Sequence, residues 1–326
     1  MNALLFKFKK IKDSCFEEYY DYFFLKKMLQ KISGKEVNTI FLGSSYTRFG
    51  IEDNILPEGF YNLSLPSQDI YYASVIIRNL LDKKTKLNNI VLGFGDYYLY
   101  SDLSKAKLYS ERKRVSNVYI PLFHDAHNYK KDSILNRTIT YNIKEIICKI
   151  IHYEQELSGN FKNFFAPHKK NVWNGYYFNY THSRFDRKNA LWGDVNLSWQ
   201  QISQNKKKEA AKNRAIQHNK CKKYVETFNE NIKILKELIL LCKSNGIKLY
   251  ICKFPFTNEY KQFLNTEFMP ELDLQLENIG VNNTIIALKT LYKDWNYSCF
   301  NDMDHLNDKG ALIATKIILK TLGVDT

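Results

Sequence analysis

Short, mostly apolar runs set between amphipathic stretches constrain this chain most. Val37–Leu42, apolar but for Asn38 and Thr39, and Ile90–Phe94 show no strict polar alternation, Ile247–Cys252 is interrupted by Lys248, and each is bounded by turn residues or a helical pattern. A strand with one face in water alternates polar and apolar residues, whereas one buried on both faces is apolar throughout. Two more segments read as strands, Gly59–Leu65 and Thr284–Leu288. Between them lie helical patterns. Ile70, Ala73, Ile76, Ile77, Leu80 and Leu81 share one face, with Ser67 the expected N-cap. Phe228, Ile232, Leu235, Leu238 and Cys242 share another, stopped at Gly246. A last helix is expected over about 308–322, between Asn307 as N-cap and Gly323 as stop. Strand and helix in alternation predict an α/β fold of three α/β/α layers around a mostly parallel sheet. In such sheets ligands bind outside the carboxyl ends of the strands.

Residues 1–35 read as an N-terminal helical arm with an aromatic stripe that includes Tyr20, Phe23, Phe24 and Met28. Residues 36–326 form the α/β/α domain. Within it 101–220 loses the strand rhythm and reads as an inserted lid or subdomain over the active face, with a helix expected near 141–151. This stretch is rich in aromatic residues, including Trp173, Tyr176, Tyr177, Phe178, Tyr180, Trp192 and Trp199. A basic run from Lys206 to Lys223 reads as a solvated helix or a mobile lid.

The net charge is +14, yet only eight of the 48 basic residues are arginines. Lysine is mainly a hydrated point charge, and arginine is the residue of bidentate phosphate or base contacts. A solvated lysine-rich surface explains the balance. Attraction to an acidic polysaccharide, an anionic membrane face or a nucleotide cofactor is the sharper reading. No nucleic-acid motif is evident. The six cysteines are scattered and form no C-x-x-C pair, so free thiols in a reducing compartment are expected. No metal-ligand spacing stands out among the histidines. No segment approaches the roughly 18 apolar residues of a membrane span, and the first residues lack a signal-peptide core. The expected location is the cytoplasm, with any membrane association being peripheral, to an assembly complex.

Where the first apolar run ends, the sequence is Gly43-Ser44-Ser45, and near the other end stands Asn301-Asp302-Met303-Asp304-His305. A serine needs a base to take its proton, a histidine is the usual base, and a carboxylate on the other ring nitrogen fixes its tautomer. Ser45, His305 and Asp302 supply the three types, although Asp304 could replace Asp302. Each also has a plain alternative: Ser45 as a helix cap, His305 as a hydrogen-bonded histidine at a helix entry, Asp302 as a turn residue. Arg48, one turn after Ser45, could bind a carboxylate or phosphate, or form a surface salt bridge. Asn62, Gln68 and Asp96 are candidates for supporting contacts.

These blocks resemble the SGNH (GDSL-like) hydrolases, in particular a divergent branch of polysaccharide acyl-transfer proteins that includes relatives of the teichoic-acid D-alanyl transfer protein. The resemblance covers about 36–100 and 224–326. Gly43-Ser44-Ser45 matches the family's first block and implies that Ser45 is the nucleophile. Asp302-Met303-Asp304-His305 matches the last. Gly93-Phe94-Gly95-Asp96 matches the third only in part, since Gly95 stands where the oxyanion asparagine would be. Ser67 stands in place of the second-block glycine. The resemblance implies an SGNH, flavodoxin-like fold and acyl transfer or ester hydrolysis on a bacterial surface or capsular polysaccharide through an acyl-serine. Ser67, Gly95, Asn62 and Arg48 are then the candidates for oxyanion or substrate contacts. No bound cofactor is expected, and if the chain is a transferase, acetyl-coenzyme A or another acyl donor is implied as co-substrate. The alternative is a non-catalytic carbohydrate-binding or assembly protein on the same sheet.

Overall fold

A computed structural model describes residues 20–130, 199–279 and 284–324. Strands β1 (Glu36–Gly43), β2 (Phe60–Asn62), β3 (Lys86–Phe94), β4 (Lys248–Lys253) and β5 (Ile285–Ala287) form one sheet in the order β2-β1-β3-β4-β5. Every pairing is parallel, with Gly43 opposite Gly93 and Gly93 opposite Cys252. The apolar runs are strands for the reason their composition gives: Ile40, Phe41, Leu42, Ile90, Val91, Leu92 and Ile251 are all fully buried, so both faces are covered.

Helices provide the two outer layers. Helix α1 (Tyr20–Ile32) precedes β1, and α2 (Ser45–Gly50) follows it. Helix α3 (Ile70–Asp82) joins β2 to β3, and α4 (Gln204–Asn219) and α5 (Val225–Ser244) precede β4. Helix α6 (Asn258–Phe263) follows β4, and α7 (Asp308–Thr321) is the last. Helix α3 packs on α5, and α7 packs on α2. The fold is therefore a three-layer α/β/α sandwich. Its order 2-1-3-4-5 reverses direction between β1 and β3, which makes the crevice beyond their carboxyl ends the switch point where ligands bind.

Several local expectations change. Only Phe60–Asn62 of the expected 59–65 strand pairs with β1, because the Asn62 side chain accepts the Ser64 N–H at 3.1 Å and turns the chain away. Asp69, and not Ser67, caps α3, with its carboxylate accepting the Tyr72 N–H at 2.9 Å. The basic run is α4 followed by a short helical turn, and α4 is a packed wall. Asn219 donates to the Phe263 carbonyl at 2.9 Å, and the Lys207 ammonium is buried on the Ile202 carbonyl at 2.9 Å. Trp199 is fully buried. The helix expected near 141–151, the aromatic residues from Trp173 to Trp192 and the start of the arm lie outside the described residues.

Candidate active site

Gly43 ends β1 with φ +134°, and its N–H donates to Gln68 Oε1 at 2.9 Å. The turn it permits presents Ser45 as the first residue of α2. From the other end, Asp302 folds the histidine loop around itself. Its Oδ1 accepts the N–H of Asp304 at 2.9 Å and of His305 at 2.8 Å. Asn307 then caps α7, accepting the Gly310 N–H at 3.0 Å. Two ordinary devices, a strand-end turn and a capped helix entry, thus bring together side chains 260 residues apart.

His305 Nε2 and Ser45 Oγ share a hydrogen bond of 2.9 Å. His305 Nδ1 donates toward both carboxylate oxygens of Asp302 at 3.0 Å. Asp304 Oδ1 stands farther off, 3.4 Å from the same nitrogen. Asp304 Oδ2 instead accepts the Tyr46 hydroxyl at 2.9 Å and Arg214 Nε at 3.0 Å. Geometry therefore makes Asp302 the direct partner. Ser44 Oγ is enclosed with no hydrogen-bond partner among the described residues, and of the two serines Ser45 is the one that meets the histidine.

The electrostatics are set by burial against charge. Burial pulls the His305 ring down, but the carboxylates of Asp302 and Asp304 outweigh it and hold the ring at about 10. Burial would raise Asp304, yet Arg214 and the imidazolium hold it well below the usual carboxylate range. His218, packed on Tyr97 with a ring separation of 4.0 Å, is pushed well down by burial and then by Arg214, and stays neutral.

The other candidates divide. Ser44, Ser45, Ser67 and Gly95 share the wall of a cavity of about 610 Å³. Ser67 has φ +59°, backbone in which glycine is at ease, so the position keeps a glycine's conformation without the glycine. At Gly95 an added Cβ would lie 2.5 Å from the Tyr46 ring. The space a side chain there would need is filled by that ring, whose hydroxyl is 3.0 Å from Tyr97 and bonded to Asp304. Only a backbone N–H can act at 95.

Arg48 and Asn62 do not belong to the site. Arg48 is buried, paired with Asp53 at 2.8 Å and laid over the Phe24 ring at 4.5 Å, so it is neither a substrate contact nor a surface salt bridge. Asn62 is committed to Asp53 Oδ1 at 3.0 Å and to the Ser64 N–H. Gln68 supports the turn through Gly43 and reaches Tyr119. Sequence reasoning missed Tyr46 and Arg214. Tyr46 adjoins Ser45 and carried a signal only by position, and Arg214 lay within a lysine-rich run.

Among the described residues, two clusters bring metal-ligand types together. Asp302, Asp304 and His305 are the site itself. Asp102, His127 and Glu230 converge beside the cavity, where Lys105 already bridges Asp102 at 3.2 Å and Glu230 at 3.4 Å, and Asn128 donates to Glu230. That cation makes the cluster a salt-bridged brace. Among the described residues, no helix is long and apolar enough to cross a membrane, and Cys221, Cys242, Cys252 and Cys299 are free.

Compared with known proteins, the chain matches no family model and no curated protein.

Proposed function

We propose that the chain is a serine-dependent acyltransferase or esterase of the SGNH kind, acting on a bacterial surface or capsular polysaccharide through an acyl-serine. One observation carries this reading: the continuous Ser45–His305–Asp302 relay, opening into a cavity at the switch point of the sheet. In the first step neutral His305 takes the Ser45 proton while Oγ bonds to the acyl carbonyl carbon. Asp302 keeps the ring oriented and stabilises the imidazolium. The backbone N–H groups of Ser45, Ser67 and Gly95 are the donors suited to the oxyanion, each worth roughly 3–4 kcal/mol in well-ordered sites. The leaving thiolate or alkoxide takes the proton from His305. A second hydroxyl, from an acceptor sugar or from water, returns one to the ring as it attacks the acyl-serine, and the bond from the acyl carbon to Ser45 Oγ then breaks as Oγ takes that proton back from His305. Tyr97 and Tyr224, half-buried on the cavity wall, offer ring surface to a sugar. Acetyl-coenzyme A is the first donor to try, which places the reaction on the cytoplasmic side.

A second reading rests on Gly95 and Tyr46. With no side-chain amide at 95, the sheet would hold a carbohydrate without turning it over. Labelling by a fluorophosphonate probe separates the two. Ser45→Ala is expected to abolish labelling and turnover, and Ser44→Ala to leave labelling largely intact. An unlabelled wild-type chain would leave the binding reading in its place, and loss of labelling in the Ser44 variant alone would move the nucleophile.

A further inference from the structure

A guanidinium carries five N–H donors. In Arg214 one of them, on Nε, reaches Asp304 Oδ2 at 3.0 Å, and this is the side chain's hydrogen bond within the described residues. The two outer nitrogens are without a partner there. They are not lost in open solvent, because the side chain is only 24% exposed and lines the cavity that holds Ser45. The Nε contact fixes the plane of the fork and leaves its outer edge as a rigid pair of charged donors. Such a pair matches the two oxygens of a carboxylate or phosphate, bound bidentately.

The rest of the wall agrees in sign. Lys105 is committed to Asp102 and Glu230. Lys107 and Lys220 line the same cavity, are exposed, and among the described residues make no ion pair, and the one further acid that lines it there is Glu111. Leu108, 62% exposed, adds an apolar edge. A neutral sugar would leave the guanidinium edge unmet and desolvated, a cost with no return.

Resting on the acyl-serine reading above, we infer that the substrate carries a carboxylate or phosphate, gripped by the outer edge of Arg214 while its acyl group lies at Ser45. The anion belongs either to the acyl donor, as in the phosphates of coenzyme A, or to an acidic sugar of the acceptor. Arg214 is then the specificity residue of the site, supplied by the inserted middle of the chain.

Calorimetric titration of the full-length Ser45→Ala protein with three probes tests this: coenzyme A, trigalacturonate and neutral galactotriose. At least one anionic probe is expected to bind, and the one that binds identifies the source of the anion. Adding Arg214→Gln is expected to weaken that probe by about tenfold or more, the scale of lost charge-assisted hydrogen bonds. The paired variant Arg214→Gln with Asp304→Asn leaves no unpartnered buried carboxylate, and it is expected to show the same loss in a folded protein. Anion binding that survives in the paired variant would overturn the proposal, as would galactotriose binding with neither anion bound, or no binding by any probe. Fluorophosphonate labelling of the chain with Ser45 intact reads the acyl-serine separately. Arg214-dependent anion binding in an unlabelled protein would sink the acyl-serine reading and keep the anion site.

Discussion

His305 faces a conflict at the scale of a single ring: the proposed chemistry needs the neutral form, while two carboxylates favour the proton. With the ring held at about 10, the neutral fraction grows about tenfold per pH unit up to that value. Labelling of Ser45 is therefore expected to climb from about pH 7 and level off near 10. Asp304→Asn removes one carboxylate and is expected to move the climb to lower pH. A wild-type rate flat across this range would detach the ring from the chemistry. Stability carries the same sign. A folded value raised above the ordinary 6.5 stabilises fully below 6.5, and that contribution is lost as pH rises toward 10. Arg48 gives the opposite kind of residue, one that matters to folding alone. Arg48→Leu leaves Asp53 without its 2.8 Å partner and is expected to cost about 3 kcal/mol by chemical denaturation, the low end for a buried pair because Asp53 is 20% exposed. Equal probe affinity in the folded variant checks that Arg48 stays out of the site. Ser45, His305 and Asp302, which the structure brings within hydrogen-bond reach, were legible together because each sits at a strand end or a helix entry, where residue type and position speak together. Arg48 was misread because α2 is so short that one turn beyond Ser45 already points into the core, at Phe24 and Asp53.

Among the elements, α7 positions His305. Its first turn closes on the preceding segment so tightly that a Cβ on Gly310 would lie 2.1 Å from the Cys299 carbonyl oxygen, which accepts the Asn307 N–H at 3.0 Å. Gly310→Ala must push α7 away from that turn. The expected result is about 1–3 kcal/mol lost to overpacking and a sharp fall in Ser45 labelling in protein that is still folded. Full labelling would show that the helix entry does not set the histidine. The central strands were legible because burial on both faces leaves a composition that little else produces. The edge strand β2 was overread, since an asparagine that ends a strand through its own side chain looks much like one that continues it. Ser67 was misassigned as a cap because it precedes the helix and has the right chemistry. Its left-handed backbone, invisible in the sequence, passes that task to Asp69.

Over the whole molecule, the sheet order puts the ends of β1 and β3 side by side, and the chain then recruits partners for that crevice from distant segments. Sequence patterning reports neighbours along the chain, so the α/β/α frame was readable and the Arg214–Asp304 contact, 90 residues apart, was not. The 260-residue separation of Ser45 and His305 also has a temporal side. A ribosome releases Ser45 long before His305. Until His305 emerges, Ser45 is an ordinary alcohol. The sheet strands, Tyr46 and the α4 wall all precede His305 in the chain, so under the proposed reading the hydroxyl is activated only once the rest of its site exists, and a chain cut short before Asp302 would carry a serine with no histidine to take its proton.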